Sequence, residues 1–212
     1  MEGTILYIMD PLCGWCYGFG DVMAQLEEKY KDRYHFRVIT GGMITGARVA
    51  PVSEMANYIL GAYKRVEDYA GVKFGEPYLE LLRKGTEISY SEPPCRAIVT
   101  FREQHPEKAL SFTHQLQQKI FAEGKSWNDE QTYKELAEEF GLPGEKFVSD
   151  MNTDERKYDT QQDFQWAQAA GISGFPCTVV ERGGKYYMLA QGYQPLQALE
   201  EVLQNVNKSL KE

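Results

Sequence analysis

Two of the four cysteines, Cys13 and Cys16, have the C-x-x-C spacing of a pair that can exchange disulfides with another molecule. The attacking species in such an exchange is a thiolate, and a helix N-terminus stabilises it because the backbone N–H groups there are unpaired. Cysteines in that setting have pKa values lowered to about 3.5–7.5. Residues three apart on a helix have Cβ atoms about 5–6 Å apart, so the two thiols can close into a disulfide. We therefore predict that Cys13 attacks and that Cys16, one turn deeper, resolves the mixed disulfide.

A strand and a helix place this pair where the chemistry requires it. Residues 4–10 are mostly apolar β-formers that end at Pro11, and apolar residues recur at helical spacing over residues 16–30. A second strand is predicted over residues 34–40, before a pair of glycines. The three elements form a βαβ unit, for which a right-handed crossover is expected.

Helical periodicity dominates the middle of the chain. An amphipathic helix is predicted over residues 53–70, with Ser53 as its N-cap and its aromatic side chains in the core of a helical block. Further helices are predicted over residues 78–84, 95–105, 107–123, 129–140 and 154–170.

The end of the chain returns to β-structure. Strands at residues 177–181 and 185–190 flank a glycine turn and form a hairpin. A last helix opens at Pro195, and its apolar stripe consists of Leu196, Leu199, Leu203, Val206 and Leu210. We predict an α/β fold in which residues 1–45 and 165–212 form one discontinuous domain and residues 46–164 form an inserted helical subdomain.

The composition excludes several classes of protein. The 212 residues carry 23 basic and 31 acidic side chains, a net charge of −8, which argues against nucleic acid as a partner because that role needs a basic face. With 42% hydrophobic and 25% charged residues, wholesale disorder is excluded. No apolar run approaches the roughly 20 residues that span a bilayer, so no membrane partner is expected.

The N-terminus lacks the basic region, the apolar stretch and the cleavage site of a secretory leader, so we expect a cytoplasmic protein. Four cysteines are too few for a disulfide-stapled scaffold in a chain of this length. Zinc would need further paired ligands, whereas Cys95 and Cys177 are single and far apart, so neither a metal nor a cofactor is expected. These two are candidate accessory thiols, although burial as inert small side chains is favoured.

The order of elements resembles the DsbA-like branch of the thioredoxin superfamily. The string from Cys13 to Phe19 (CGWCYGF) resembles the C-x-x-C-Y-x-F of that branch, and Gly174-Phe175-Pro176 leads into the hairpin as it does there. Asp10-Pro11-Leu12 is similar to the FrnE-like group of cytosolic disulfide isomerases. The resemblance implies a thioredoxin-like fold with an inserted helical subdomain, and a cis Pro176 that packs against the cysteine pair as an active-site residue. It also implies that the backbone at Phe175 pairs with an extended substrate segment.

The sequence departs from that branch at three points. The buried carboxylate six residues before the first cysteine is replaced by Tyr7, and the nearest acid is Asp10. The residues between the cysteines, Gly14 and Trp15, include neither proline nor histidine, so we expect a weaker oxidant than DsbA, whose potential is about −120 mV. We interpret both as substrate-facing, with Trp15 part of an apolar surface. The third departure is Cys177, directly after the proline.

These features predict a thiol–disulfide oxidoreductase or isomerase acting on protein or peptide disulfides, with an unnamed thiol as electron donor or acceptor. A homodimer is left open. One alternative is a glutathione-dependent isomerase or transferase resembling 2-hydroxychromene-2-carboxylate isomerase, although enzymes of that type typically have serine where Cys13 stands. A second is a non-catalytic, client-binding adaptor with redox-sensing cysteines. A Cys–His hydrolase is disfavoured because no motif ties a histidine to either cysteine.

Overall fold

The computed structural model describes residues 1–209 and has the predicted α/β architecture. Its strands are β1 (Thr4–Met9), β2 (His35–Thr40), β3 (Ala50–Pro51), β4 (Ile88–Ser89), β5 (Cys177–Arg182) and β6 (Lys185–Gln191). Its helices are α1 (Gly14–Tyr30), α2 (Ser53–Ala70), α3 (Glu76–Lys84), α4 (Glu92–Gln104), α5 (Ala109–Phe121), α6 (Glu130–Glu139), α7 (Gly144–Met151), α8 (Asp154–Ala169) and α9 (Leu196–Ser209).

The four longer strands form one sheet in the order β2–β1–β5–β6. β2 runs parallel to β1, as the predicted βαβ unit requires, and β5 and β6 are antiparallel to their neighbours. Because β5 is antiparallel to β1, its first residue, Cys177, lies opposite Ile8 near the end of β1. The loop that follows β1 and the loop that precedes β5 therefore lie next to each other at the same end of the sheet.

The sheet separates two hydrophobic cores, because successive side chains of a strand point to opposite faces. Ile5, Tyr7 and Met9 of β1 face the larger core, which also contains residues of α1, α9 and the helical block. Leu6 and Ile8 face a smaller core that is closed by α8. β1 is thus covered on both sides, and its C-terminal end is held firmly in place.

Aromatic side chains fasten the helical block to α1. The ring of Tyr17 stacks on Phe121 with the ring centroids 5.1 Å apart, and it meets the edge of Phe74 at 5.4 Å. The Tyr17 hydroxyl donates a hydrogen bond of 3.0 Å to the backbone carbonyl of Lys73. The residue directly after Cys16 is therefore embedded in the helical block.

A buried ion pair joins α4 and α8 to the end of β2. Nη1 of Arg102 lies 2.6 Å from Oδ2 of Asp163, and the same oxygen accepts the backbone N–H of Thr40 at 2.9 Å. The division into residues 1–45 with 165–212 and residues 46–164 stays a proposal, and its second boundary lies within α8. Both residues of the ion pair belong to residues 46–164, and the hydrogen bond from Thr40 connects them to residues 1–45.

The prediction that the aromatic side chains of α2 form core is wrong for Tyr58 and Tyr69, each of which is 70% exposed. α2 lies on the outside of the block, and Ala56 and Val66 are its buried residues. The N-cap prediction is also wrong, because the helix is preceded by Val52 and no side chain caps it.

Some elements were not predicted from the sequence. The α7 helix lies between two predicted helices, in a segment for which the sequence predicts no element, and β3 pairs with β4 over only two residues each. α4 begins at Glu92, with two prolines in its first turn, where the missing N–H groups cost no helical hydrogen bond. Leu210 of the predicted C-terminal stripe lies outside the described residues. Within residues 1–209, no helix has the length and apolar character needed to cross a membrane.

Glu27 of α1 makes the stability of the fold depend on pH. Burial raises the pKa of its carboxyl to about 7, with Lys31 opposing the shift and Glu28 adding to it. The carboxyl ionises more readily in the unfolded chain, so stability is fully present below about pH 4.5 and is lost as the pH rises through 7. Because Glu27 is partly exposed and solvent screens its charge, we expect Glu27→Gln to raise the free energy of unfolding by only about 1 kcal/mol at pH 8 and to leave it unchanged at pH 4. Urea unfolding followed by circular dichroism at both pH values measures this difference.

The neighbouring variant Glu28→Gln is the control, since Glu28 is exposed and paired with Lys31 on the surface. Surface pairs of this kind contribute only about 0–1 kcal/mol. An equal gain for Glu27→Gln at pH 4 and pH 8 would show that the effect is not ionisation of Glu27.

Candidate active site

Cys13 and Cys16 lie where β1 passes into α1. A short turn connects the two elements, in which the Cys13 N–H donates to the carbonyl of Asp10 at 3.1 Å. Cys13 is the N-cap residue of α1, and its Sγ accepts the backbone N–H of Cys16 at 3.3 Å. An N–H donor and the positive end of the helix both stabilise negative charge on this sulfur. The structure therefore brings Cys13 into the position that the sequence predicts for an attacking thiol.

The two sulfurs have different environments. Cys13 keeps 8% of its surface exposed, whereas Cys16 is fully buried. Burial, followed by the adjacent sulfur of Cys13, raises the pKa of the Cys16 thiol well above its usual value. The Tyr7 hydroxyl donates a hydrogen bond of 3.1 Å to the backbone carbonyl of Cys16, and this bond holds the first turn of α1 against strand β1. An arrangement of this kind allows one thiolate to react first and keeps the second protonated until it is needed.

The loop before β5 lies against the first sulfur. The peptide bond between Phe175 and Pro176 is cis, as the resemblance implies, and Cys13 Sγ lies 3.6 Å from the carbonyl oxygen of Phe175, to which the thiol can donate. The carbonyl of Pro176 accepts the N–H of Gly192 at 2.7 Å, so the loop is also tied to the end of β6. Segments about 160 residues apart in sequence thus form one wall beside Cys13.

Trp15 is half-buried among two aromatic side chains that the sequence did not assign to the site. Its ring centroid lies 6.2 Å from that of Tyr69 and 6.1 Å from that of Tyr193, and these two tyrosines are 6.3 Å apart. We call these three residues the aromatic platform. Gly14 has no side chain, and a Cβ there would lie 3.3 Å from the ring of Phe74. Tyr69 and Tyr193 belong to distant segments, so no local pattern connects them with the cysteines.

Asp10 is a site residue whose burial the sequence did not reveal. Its carboxylate is fully buried and accepts hydrogen bonds from the N–H groups of Leu12 (3.0 Å) and Met43 (2.7 Å) and from the hydroxyl of Ser91 (3.0 Å). Burial raises the pKa of this carboxyl, although the hydrogen bonds oppose the shift. The carboxylate also acts electrostatically on the Cys16 thiol. The one feature of the sequence that could have indicated this burial is that Asp10 is an isolated acid between the apolar strand β1 and Pro11.

Cys95 and Cys177 are both buried and do not join the C-x-x-C pair. Sγ of Cys95 lies 4.0 Å from Oδ2 of Asp10, and burial raises its pKa well above the usual value. Cys177 faces the smaller core on the opposite side of the sheet from Cys16, with its sulfur 3.4 Å from that of Met188. Burial raises the pKa of Cys177 to about 11. Among the residues that the structure describes, no cluster of three or more His, Cys, Asp or Glu side chains could hold a metal.

A family model described as Thioredoxin matches residues 6–201. This chain belongs to that thioredoxin family. The structure of a candidate protein disulfide isomerase from Nitrosomonas europaea is 28% identical, covers 99% of each chain and superposes with a TM-score of 0.86. Cytosolic disulfide reductase DsbM from Pseudomonas aeruginosa is 25% identical, with a TM-score of 0.80 over 96% of this chain and 98% of that chain. DsbM has also been solved with GSH, with a TM-score of 0.79 at 23% identity over 96% of this chain and 99% of that chain.

A curated relative of this thioredoxin family member is the ClpXP adapter protein SpxH from Halalkalibacterium halodurans. It is 25% identical over 158 residues, which are 70% of this chain and 49% of that protein. The chain therefore spans about half the length of the curated relative it matches. The comparisons confirm the thioredoxin-like fold and the DsbA-like branch, and one of the similar structures is a disulfide reductase.

Brief treatment of the reduced protein with iodoacetamide at neutral pH is expected to modify Cys13 first. Cys16 and Cys95 are fully buried, and burial raises the pKa of these thiols and of Cys177. Thiolate is the species that reacts, so the three remain unmodified while Cys13 takes one adduct. Intact-mass analysis with peptide mapping measures the order. Cys177→Ser is the control that keeps the rapid adduct, and rapid labelling of Cys13→Ser would contradict the assignment.

Proposed function

We propose that the chain catalyses thiol–disulfide exchange on protein or peptide disulfides, with Cys13 as the nucleophile and Cys16 as the resolving thiol. The observation that carries this proposal is the contrast between the two sulfurs. Cys13 caps α1 and accepts an N–H, whereas Cys16 is sealed one turn below it with a raised pKa. A pair built in this way attacks through one sulfur and releases its product through the other.

The exchange proceeds in two steps. The Cys13 thiolate attacks one sulfur of the substrate disulfide, forming a mixed disulfide while the other substrate sulfur leaves as a thiolate and takes up a proton. Cys16 then loses its proton and attacks the Cys13 sulfur, which forms the Cys13–Cys16 disulfide and releases the second substrate thiol. Two electrons pass from the cysteine pair to the substrate. A further dithiol, or two monothiol molecules, must return them before the next turnover.

Three features would position an extended substrate next to Cys13. The backbone at Phe175 offers hydrogen bonds to a substrate strand, and the buried ring of Pro176 shapes the wall behind it. The aromatic platform around Trp15 offers a half-exposed apolar surface for a neighbouring substrate side chain.

Reduction is the direction we assign to this exchange, in the cytosol and with glutathione as the returning thiol. DsbM, at 25% identity over nearly the whole chain, is a cytosolic disulfide reductase and has been solved with GSH. The absence of a histidine between the cysteines also favours a less oxidising pair, because one donor to the thiolate is missing. Isomerisation uses the same two thiols and needs only that Cys16 react slowly enough for the substrate to rearrange.

A client-binding adaptor is the second candidate function. It is favoured by the relationship to SpxH and by the exposed Met55, Tyr58 and Tyr69 on α2, which offer an apolar surface. An adaptor would bind its client equally well with both cysteines replaced by serine. The glutathione-dependent isomerase of the sequence analysis would need glutathione for turnover but not Cys16.

Replacing Cys13 by serine is expected to abolish insulin reduction in the presence of a thiol donor, because no mixed disulfide can form. Cys16→Ser should retain attack and lose resolution, so a covalent Cys13–substrate adduct accumulates. Insulin turbidity measures the rate, and non-reducing electrophoresis with mass analysis detects the adduct. Cys95→Ser serves as the matched control with full activity. A wild-type rate no higher than that of Cys13→Ser would refute the proposal.

Asp10 is assigned to hold the proton that Cys16 loses during resolution. We expect Asp10→Asn to slow release of the mixed disulfide by about a hundredfold, the lower end of the range of general acid–base effects, while attack by Cys13 is preserved. Rapid-quench measurement of adduct decay from pH 6 to 9 checks this, and the pH dependence of the decay should flatten in the variant. Ser91→Ala keeps the acid but removes a hydrogen bond that lowers the pKa of Asp10, so the pH dependence should remain and shift to higher pH. An unchanged decay profile for Asp10→Asn would rule this role out.

A further inference from the structure

A cavity of about 590 Å3 lies beside Phe175, the residue whose carbonyl contacts Cys13. Its walls come from the loop after β2, the C-terminal half of α8 and the loop that leads to Pro176. The volume falls within the range of about 300–1,000 Å3 that is typical of pockets for small molecules. We call it the Arg48 pocket, since Arg48 is the cation that lines it.

Arg48 has features of a binding group rather than of a structural ion pair. It lies in a short 3-10 turn (Gly46–Arg48), and its Nη2 donates to the carbonyl of Gly42 at 3.2 Å, which anchors the guanidinium beside the cavity. No carboxylate within residues 1–209 forms a salt bridge with it, although the chain as a whole carries a net charge of −8. Its positive charge also acts on Asp10. It lowers the pKa of that carboxyl, although burial raises the same pKa and has the larger effect.

Two glycines shape the floor of the pocket. A Cβ on Gly41 would lie 2.1 Å from the ring of Phe175, and one on Gly42 would lie 2.8 Å from the ring of Phe164. The φ of Gly42 is +62°, a conformation that side chains other than glycine rarely adopt. Both aromatic rings therefore pack against the backbone of these two glycines and form an apolar floor of the pocket.

The rim of the pocket is polar. It carries the hydroxyls of Thr45 and Ser173 and the amide of Gln168, all of which line the cavity beside Arg48. A guanidinium with free donors matches a carboxylate in both charge and geometry, and the hydroxyl and amide groups suit peptide bonds. Together, the floor, the rim and the cation fit a short peptide that ends in a free carboxylate.

We infer that the Arg48 pocket binds the carboxylate of the small thiol peptide that reduces the enzyme, and that Arg48 sets specificity for it. The inference rests on the proposed function and adds to it the residue that recognises the reductant. The bound thiolate attacks the Cys13 sulfur of the Cys13–Cys16 disulfide, forming a mixed disulfide, and Cys16 leaves as a thiolate and takes up a proton. A second thiol molecule attacks the mixed disulfide, which releases the oxidised peptide dimer and the Cys13 thiolate.

The test is reduction of the oxidised protein by three thiols: glutathione, its glycyl ethyl ester and dithiothreitol, which has no carboxylate. Intact-mass analysis after acid quenching gives the second-order rate constant for loss of the intramolecular disulfide. Arg48→Met should slow reduction by glutathione about tenfold more than reduction by dithiothreitol, the effect of one charge-assisted contact worth about 1.4 kcal/mol. The rate with dithiothreitol measures any effect that Arg48 has through Asp10. Esterification should slow the wild type by a similar factor and leave Arg48→Met with no further loss. Arg48→Lys should recover part of the rate.

Arg37→Met is the matched control, since Arg37 is an exposed arginine of β2 that does not line the pocket and forms no salt bridge within residues 1–209. It should reduce at the wild-type rate with all three thiols. Equal rates of glutathione reduction for wild type and Arg48→Met would overturn the inference. So would an equal loss of rate with glutathione and with dithiothreitol, because the loss would then not depend on the carboxylate of the thiol. Failure of insulin reduction with every thiol would instead overturn the proposed function.

Discussion

The buried carboxylate of Asp10 is the constraint on which the geometry of the site depends. Its two oxygens accept hydrogen bonds from the turn that carries Cys13, from the loop after β2 and from the start of α4. An isolated charge in such a place would cost several kcal/mol, so the three donors are needed for the fold as much as for the chemistry. Because the same group acts electrostatically on Cys16, its hydrogen bonds set both the shape of the turn and the electrostatic environment of the inner thiol.

The position of the cysteine pair could be predicted from the sequence because it is set locally. The strand, the C-x-x-C spacing and the start of the helix all lie within residues 4–30, and a position at a helix N-terminus follows directly from that order. The hairpin and its preceding proline could also be predicted, since turn residues mark them. Their approach to Cys13 depends on the antiparallel pairing of β5 with β1, which local patterns do not specify, and it entered only through the resemblance to a family.

The rest of the site could not be predicted, for physical reasons that differ from residue to residue. Tyr69 and Tyr193 reach Trp15 from remote segments, so only the tertiary fold reveals the aromatic platform. The helical pattern of α2 predicts an apolar stripe but not how much of it is covered, and the structure leaves Tyr58 largely exposed. Asp10 shows the opposite case, because a charged residue beside a proline is usually solvated and here is sealed by other segments.

The stacking of Tyr17 on Phe121 and Phe74 has a consequence for how such proteins can diverge. The turn of α1 that carries the thiols also carries the aromatic side chain that docks the helical block. The helical block therefore cannot be exchanged freely between homologues. We expect a substitution in its docking surface to change the packing around the residue next to Cys16, so an engineered chimaera should transplant the C-x-x-C turn along with the helices that pack on it.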